Sequence, residues 1–298
     1  MIEQTAKVLI GTAFYVGILW VAQRNPRAAG MMLTFPTLNG LVLLMAGQAA
    51  MEDAASAMLL MPPINAAMWT FYFAGFGPLV DRRMPPAAAS GLLMGIGATG
   101  WLVLVAMITY GQWGVPTGWQ WAYVVAVLLA GALLTLALSR EPTLPPSSAP
   151  AKPQSFITLL ARYRLRIAVF ALTLAAIAMM DRLGASPAML GAVAGAPLVA
   201  MFGMQTMAAD NATPLAARRA SFATMAGGLW LGPGIAIVFV AGYWRALAAL
   251  STLLSGLAYH VAGAVLLLAG WGLCIFTIWG VSLMLHRHAR ASPAPRTS

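Results

Sequence analysis

Apolar runs of about 20 residues, separated by short polar turns, recur along the chain. A helix of that length can cross the hydrocarbon core of a bilayer. The runs do not alternate between apolar and polar positions, as the strands of a membrane β-barrel would. The pattern therefore predicts an all-α protein, a polytopic transmembrane helical bundle.

Eight predicted spans are readily placed in the sequence. The sixth follows the arginines of residues 162–166 and ends near residue 180; the other seven cover approximately residues 8–22, 28–47, 54–79, 86–110, 121–138, 187–207 and 220–242. Arg245 and His286 then lie 41 positions apart (286 − 245). As a helix that stretch would measure about 60 Å, twice a hydrocarbon core of roughly 30 Å. A tight turn near Gly256–His260 gives ten spans, whereas an interfacial or re-entrant segment 246–260 gives nine.

Helix-breaking residues return in the second half at a constant spacing. Each member of the first set has its counterpart 161 positions later (187 − 26, 191 − 30 and 197 − 36); the pairs are Pro26 and Pro187, Gly30 and Gly191, and Pro36 and Pro197. Three positions in register indicate a duplicated unit. The predicted organisation is an N-terminal membrane repeat, a proline- and serine-rich cytoplasmic linker, a C-terminal membrane repeat and a disordered tail, at residues 1–139, 140–155, 156–286 and 287–298.

The basic residues predict the orientation of these units. With nine spans and the N-terminus outside, all but Lys7, Arg182 and Arg245 fall inside, which is 14 of the 17 lysines and arginines (17 − 3). Ten spans move three tail arginines outside and leave 11 (14 − 3). Both counts make the two copies inverted, because five spans separate their starts. Symmetry favours ten spans and charge favours nine; the sequence prediction is ten, as two inverted repeats of about five spans.

One stretch resembles a known family. Ala29-Gly30 and Phe35-Pro36-Thr37, after a first span and the turn Asn25-Pro26-Arg27, are similar to the signature region of the GlpM-like family of small bacterial inner-membrane proteins. The resemblance covers roughly residues 1–110 and implies a unit of about four spans in the bacterial cytoplasmic (inner) membrane, without a well-defined activity. In the second copy, Ala196-Pro197-Leu198 replaces the Phe-Pro-Thr motif.

Composition narrows the function classes. The chain is 61% hydrophobic and 8% charged, whereas soluble domains are about 45–50% apolar and 25% charged. Its net charge of +10 comes from short clusters between spans, which set orientation and do not indicate nucleic-acid binding. The single cysteine, Cys274, and the three histidines have no metal-ligand spacing. We therefore predict no catalytic residues, metal or cofactor; the expected partners are the bilayer and a small molecule, and a homodimer is compatible with the sequence.

Proline inside a span points to a substrate pathway. Pro36 breaks the second predicted span near mid-membrane, and freed backbone carbonyls are tolerated there only beside protein or a water-filled cavity. Pro62-Pro63 in the third predicted span and Gly232-Pro233-Gly234 in the eighth are two further interruptions. Polar side chains near such breaks are then candidates for lining a pathway. The candidate pathway residues are Thr34, Pro36, Thr37, Asn39, Asn65, Pro197 and Gln205.

Carboxylates near span ends are candidates for ion coupling. Asp53 and Asp210 are the main ones, with Asp181 and His260 as further candidates. Asp53 ranks first because it adjoins Glu52 and lies between two interrupted helices. The alternative interpretation is that Asp53 caps the helix of the third span.

Two functions fit these patterns. Inverted repeats with helices broken at corresponding positions are typical of secondary transporters, so a transporter or permease for an unidentified small molecule is the first hypothesis. A non-transporting membrane scaffold, or an assembly partner of an envelope system, is the second. A polar cavity reaching Pro36 and Pro197, which the transporter hypothesis predicts to lie close together, would distinguish them.

Overall fold

The structure of this chain is a computed structural model that describes residues 2–34, 40, 43–44, 48–111, 113–138, 155–178, 186, 189, 198–211 and 213–291. Every regular element in these ranges is helical. The α-helices are α1 (Ile2–Arg24), α2 (Pro26–Met32), α3 (Gln48–Met58), α4 (Met61–Asp81), α5 (Pro86–Gly111), α6 (Gln120–Leu138), α7 (Phe156–Ala178), α8 (Leu198–Ala208), α9 (Leu215–Leu229), α10 (Leu231–Leu253) and α11 (Gly256–Ala291), with a short 3₁₀ turn at Thr117–Trp119.

Four stretches of the described helices are long and apolar enough to cross a membrane: Pro86–Ile108, Thr117–Thr135, Leu231–Leu253 and Gly256–Leu285. Two of them match sequence predictions closely, since α5 begins at Pro86 and α6 ends at Leu138 as expected. The prediction of an all-α protein is confirmed for the part of the chain that the structure describes, and the four apolar helices are compatible with a membrane protein.

Two long helical segments are broken at the positions where the sequence places proline. Between α3 and α4 the break ends at Leu60, whose backbone angles are φ −78° and ψ −25°, and Pro62-Pro63 follow in the first turn of α4. Between α9 and α10 the break is at Trp230, with φ −74° and ψ −15°. Both residues keep right-handed helical backbone angles, so each break is a local interruption of the helix assignment. Proline lacks a backbone N–H, and at a helix start that donor is not needed. Both predicted interruptions are therefore present, each as a helix restart.

The C-terminal third has a turn at Gly256, within the range expected from the sequence, but the helices on either side of it differ from the prediction. Helix α10 continues to Leu253, and Leu254 is extended with φ −130° and ψ 149°. Gly256 then adopts φ +57°, a left-handed conformation that glycine tolerates. Helix α11 continues from there without a break for 36 residues. Residues 246–253 thus complete α10 and form no separate span.

A second correction concerns Glu52 and Asp53, which the sequence interpretation placed in a turn. Both lie inside α3, and both are exposed. Their segment, QAAMEDAASAM, is rich in strong helix formers, and exposed carboxylates add no burial cost to a helix. Asp53 therefore does not cap α4, whose start has no side-chain cap.

Two pairs of helices begin at the same spacing along the chain. Helices α4 and α10 begin 170 positions apart (231 − 61), as do α5 and α11 (256 − 86). The residues at the breaks, Leu60 and Trp230, have the same offset, and so do Pro63 and Pro233. This offset exceeds the 161-residue register of the earlier prolines by nine positions. The extra residues therefore fall between the segment around Pro36 and the breaks.

Packing between the halves is reciprocal. Helix α3 packs against α10, and α9, which precedes the equivalent break, packs against α4. Helix α1 packs along α7, and α4 contacts α10 directly. Helix α5 packs against α8, while Gly40 and Leu44 of the other half approach Leu267 and Gly263 of α11. Each half thus completes the packing of the other.

Small residues allow the closest helix crossing. Helix α2 packs on α9 so tightly that a Cβ at Gly30 would overlap the backbone of Met225, and a Cβ at Gly228 would overlap the carbonyl of Arg27. Without a hydrophobic driving force inside lipid, such close backbone approach is a main source of helix association. Beside this crossing, Trp69, Tyr72 and Phe76 of α4 are fully buried and form the centre of the core.

Candidate functional site

A cleft of about 430 Å³ lies between α4 and α9. Its volume is in the range of about 300–1,000 Å³ usual for small-molecule sites. The two helices run antiparallel here, because the end of α4 at Asp81 meets the start of α9 at Arg219. The lining residues are Thr70, Phe73, Ala74, Phe76, Gly77, Arg219, Phe222, Ala223, Ala226, Gly227, Leu229 and Trp230.

Aromatic rings form the inner wall of the cleft. The ring of Phe222 contacts Phe76 edge-on at 4.9 Å between centroids and lies 6.1 Å from Phe73 and 6.0 Å from Tyr72. The Tyr72 hydroxyl is hydrogen-bonded to Ser90 Oγ of α5 at 2.9 Å. Edge-to-face ring pairs stabilise a packed surface beyond simple burial. The wall is therefore rigid, apolar and fixed to the rest of the bundle.

The charged end of the cleft is formed by Arg219. Its Nη2 donates to Asp81 Oδ1 at 2.7 Å, and the two side chains are 34% and 65% exposed. The Nε atom of Arg219 is buried and has no hydrogen-bond acceptor among the described residues. Exposed ion pairs contribute little to stability. This pair leaves the guanidinium with donors still available to a ligand.

The opposite end of the cleft reaches the break between α9 and α10. Leu229 and Trp230 line it, and Gly232 follows directly. A Cβ at Gly232 would overlap Thr34 Oγ1 and the carbonyl oxygen of Met31. The structure thus brings the Gly-Pro-Gly interruption of the second half against the end of α2, where the predicted pathway stretch begins.

Three of the seven predicted pathway residues lie in the ranges that the structure describes. Thr34 is fully buried and donates to the Met31 carbonyl at 3.1 Å. Asn65 is buried in the second turn of α4. Gln205 of α8 donates through Nε2 to the Ala87 carbonyl at the start of α5, at 3.2 Å, and its Oε1 has no donor in the described ranges. Each is a buried or half-buried polar group beside a helix end or break.

Other predicted residues lie outside the described ranges. They are Pro36, Thr37, Asn39, Pro197, Asp181 and linker residues 140–154. The expected proximity of Pro36 and Pro197 stays a prediction, and so do the roles of these residues in a pathway.

The two main coupling candidates have different surroundings. Asp53 is exposed on α3, next to Glu52, which accepts a hydrogen bond from Thr117 Oγ1. Asp210 follows α8, is ion-paired with Arg162 of α7 and accepts from Thr213 Oγ1 at 2.7 Å. Asp53 therefore faces solvent or headgroups, whereas Asp210 joins two helices.

Arg166 and Arg218 cap the C-terminus of α8 by donating hydrogen bonds to carbonyl groups of its last turn. Arg166 Nη1 donates to the Thr206 carbonyl at 3.0 Å, and Arg218 Nη1 donates to the Ala208 carbonyl. The Gln205 and Met207 carbonyls accept backbone N–H groups that follow the helix. All four terminal carbonyls, which lack partners within the helix, are thereby satisfied. The Tyr15 hydroxyl of α1 adds a 2.7 Å bond to Thr206 Oγ1.

Histidine and cysteine contribute little to these sites. Among the described residues, no three His, Cys, Asp or Glu side chains are grouped to hold a metal ion. His260 is exposed on α11, with Tyr259 edge-on at 5.3 Å. Cys274 of the same helix is a free, buried cysteine.

Sequence reasoning missed the cleft between α4 and α9. Arg219 was read as a topology signal in a loop, whereas it lies in the second turn of α9. A usable signal was the spacing of Trp69, Phe73, Phe76 and Val80, which places aromatic and apolar residues on one side of a helix. Which helix would cover that side depends on a contact 138 residues away in sequence.

No protein-family model, curated protein or solved structure matches this chain.

Proposed function

We propose that the protein is a permease of the bacterial cytoplasmic membrane, built from two inverted repeats that move a small molecule by alternating access. The reciprocal packing of the broken helices carries this proposal: α3 packs on α10 and α9 on α4, with restarts at Leu60 and Trp230. Helices broken at equivalent positions of inverted repeats line the substrate site in many transporters.

The proposed topology has nine crossings, in place of the ten expected from sequence. Each broken pair, α3 with α4 and α9 with α10, counts as one crossing that extends beyond the hydrocarbon core, because α9 and α10 together cover 39 residues (253 − 214), about 58 Å as helix. The first unit then comprises α1, the segment from α2 to residue 47, the pair α3 and α4, and α5; the second comprises α7, the segment from residue 187 through α8, the pair α9 and α10, and α11. Helix α6 has no counterpart and reverses the orientation of the second unit.

The arrangement of four, one and four crossings is supported by two independent patterns. Nine crossings leave 14 of 17 basic residues inside, and the hydrogen bonds join segments assigned to the same face. Two ion pairs, Asp81 with Arg219 and Arg162 with Asp210, join segments assigned to the cytoplasmic side. The hydrogen bond between Trp244 and Gln120 joins segments assigned to the outer side. We also propose, from the resemblance of residues 1–110 to the GlpM-like family, that each unit has four crossings, as members of that family do.

A cross-link between the two units would test transport. In a Cys274→Ser background, Asp81→Cys with Arg219→Cys places one thiol on each side of the contact made by the 2.7 Å ion pair. Cysteine is much shorter than arginine, so oxidation is carried out with a short alkane dithiol, which forms a disulfide with each cysteine and should lock α4 against α9. Metabolite accumulation is compared between cells with and without the gene. We expect a metabolite difference that oxidation of the double variant abolishes and reduction restores, while each single-cysteine variant resembles wild type. No metabolite difference in any of these cells would contradict transport.

A membrane scaffold is the second candidate. Its supporting observation is the dense packing where α1 meets α7: Tyr15 and Phe170 are fully buried with ring centroids 4.8 Å apart. A scaffold needs a rigid bundle and no moving interface. Under this proposal the oxidised cross-link leaves the phenotype of the cells unchanged.

A further inference from the structure

We propose that the cleft between α4 and α9 binds an anionic phospholipid of the cytoplasmic leaflet, with an acyl chain against the aromatic wall and the phosphate on Arg219. This inference goes beyond transport and holds for a scaffold as well. It rests on the shape of the cleft, its charge distribution and the unfilled donor of its one basic residue.

The cleft has the polarity of a lipid molecule along its length. From Arg219 to Trp230 the lining covers 11 positions of helix (230 − 219), about 16 Å at roughly 1.5 Å per residue. The aromatic residues Phe73, Phe76 and Phe222 line this stretch, and Arg219 is the only charged lining residue. A ligand with an apolar body and one anionic end matches this arrangement.

The outer side of the cleft is open to the surroundings of the bundle. Ala74 and Ala223 of its lining are exposed, and Phe71 on the adjacent surface of α4 is 45% exposed. In the topology proposed above, both helices belong to membrane crossings, where the molecules facing such an opening are lipids. A chain can therefore enter sideways from the bilayer without crossing the bundle.

The charges at the mouth favour an anion. Asp81 contributes one negative charge, and Arg82, Arg83 and Arg219 contribute three positive ones, which leaves +2 (3 − 1). The Nε–H of Arg219 is buried without an acceptor in the described part of the chain, and buried donors are normally paired. A phosphate oxygen would satisfy it while Asp81 keeps Nη2, and guanidinium groups bind phosphate in this way. Basic residues next to a span also attract the anionic cytoplasmic leaflet.

Gly77 provides a way to fill the cleft without disturbing the helices. It lines the cleft, and a Cβ placed on it would meet no atom within 4 Å. Gly77→Leu should therefore occupy the acyl-chain position. Gly100 of α5 is a matched control, because it is also helical, apolar in context and open, but lies outside the cleft.

The experiment is native mass spectrometry of the purified full-length protein titrated with phosphatidylglycerol, phosphatidylethanolamine or inorganic phosphate. We expect wild type and Gly100→Leu to prefer phosphatidylglycerol, and Gly77→Leu and Arg219→Gln to bind it about tenfold or more weakly. Arg82→Gln, which removes a nearby charge outside the cleft, should weaken binding by less than about threefold. If Arg219→Gln does not fold, the two glycine variants decide the question.

Four results would overturn the proposal. Equal binding of the two phospholipids would remove the preference for a net anionic lipid, and equal binding by wild type and a folded Arg219→Gln variant would remove the role of Arg219. Equal binding by Gly77→Leu and Gly100→Leu would place the lipid elsewhere. Displacement of phosphatidylglycerol by inorganic phosphate alone would indicate a headgroup site without an acyl-chain cleft.

Discussion

The Ser282 hydroxyl donates a hydrogen bond to Asn25 Oδ1 at 2.6 Å. Asn25 follows α1, and the same oxygen accepts the Ala28 N–H at the start of α2 at 3.1 Å. Ser282 is buried near the C-terminal end of α11. A residue one crossing from the N-terminus is thus in contact with the end of the last helix. The two residues must lie on the same side of the membrane, which requires that the first and the last crossing end on that side. Only an odd number of crossings allows this, which is why we propose nine and not ten.

The first prediction concerns the C-terminus. With nine crossings it lies on the cytoplasmic side together with residues 140–155, since basic segments remain inside. Protease should cleave the linker and a C-terminal tag in inverted membrane vesicles, and neither in intact spheroplasts.

Both sites being cleaved only in spheroplasts would reverse the whole orientation. A tag cleaved from the opposite side to the linker would restore ten crossings and contradict the role given to the contact between Ser282 and Asn25.

The second prediction tests the crossing of α2 with α9. Gly30→Ala places a Cβ against the Met225 backbone, which cannot move aside as a flexible side chain could. We expect it to destabilise the protein by about 1–3 kcal/mol, the usual cost of overpacking. Thermal unfolding in detergent would measure this.

Gly17→Ala in α1 is the control for that change, because a Cβ there meets nothing within 4 Å. It should be neutral or stabilise by about 0.5–1 kcal/mol, as alanine is the better helix former. Equal unfolding temperatures for the two variants would show that the crossing is looser than described.

The third prediction separates the two coupling candidates by stability. Asp210→Asn removes a partner of Arg162, and the Asp210 side chain is only 11% exposed. Loss of a charged hydrogen bond at this depth should cost about 1–3 kcal/mol. Asp53→Asn on exposed α3 should change the free energy of unfolding by less than about 0.5 kcal/mol. Chemical unfolding of both variants under one condition would rank them, and the reverse order would refute the assignment.

The fourth prediction concerns Asp53 in transport. If Asp53 carries the coupling proton, Asp53→Asn should abolish proton-driven flux and leave membrane insertion intact, because a carboxamide cannot exchange a proton. Substrate uptake under an imposed pH gradient measures this once the substrate is found. Flux equal to wild type would remove Asp53 from the coupling scheme.

The sequence predicted the bounds of the helices with mostly exposed apolar surfaces better than the bounds of helices that pack against distant segments. Helices α5 and α6 were placed within a residue or two, because their lipid-facing apolar runs end at Pro86, Gly111 and Gln120. The interruptions near Pro63 and Pro233 were also found, since proline acts locally.

Features set by contacts between distant segments were not predicted. Helix α3, which contains Asp53, packs on α10, a contact that no local pattern reveals. The cleft arises where α9 meets α4, and its ion pair joins Arg219 to Asp81 across 138 positions. The spacing between equivalent positions changes from 161 to 170 residues along the chain. A comparison of the two halves at the 161-residue spacing alone therefore does not detect the later equivalent positions.

The opposite orientation of the two units is the central claim, and equivalent loops test it most directly. Pro85 and Ser255 lie 170 positions apart (255 − 85), each just before the last helix of its unit, and both are exposed. In a Cys274→Ser background, Pro85→Cys and Ser255→Cys each leave a single thiol. A membrane-impermeant maleimide should label Ser255→Cys in intact spheroplasts and Pro85→Cys only after the membrane is opened. Labelling of both thiols from the same side would contradict the inverted repeat.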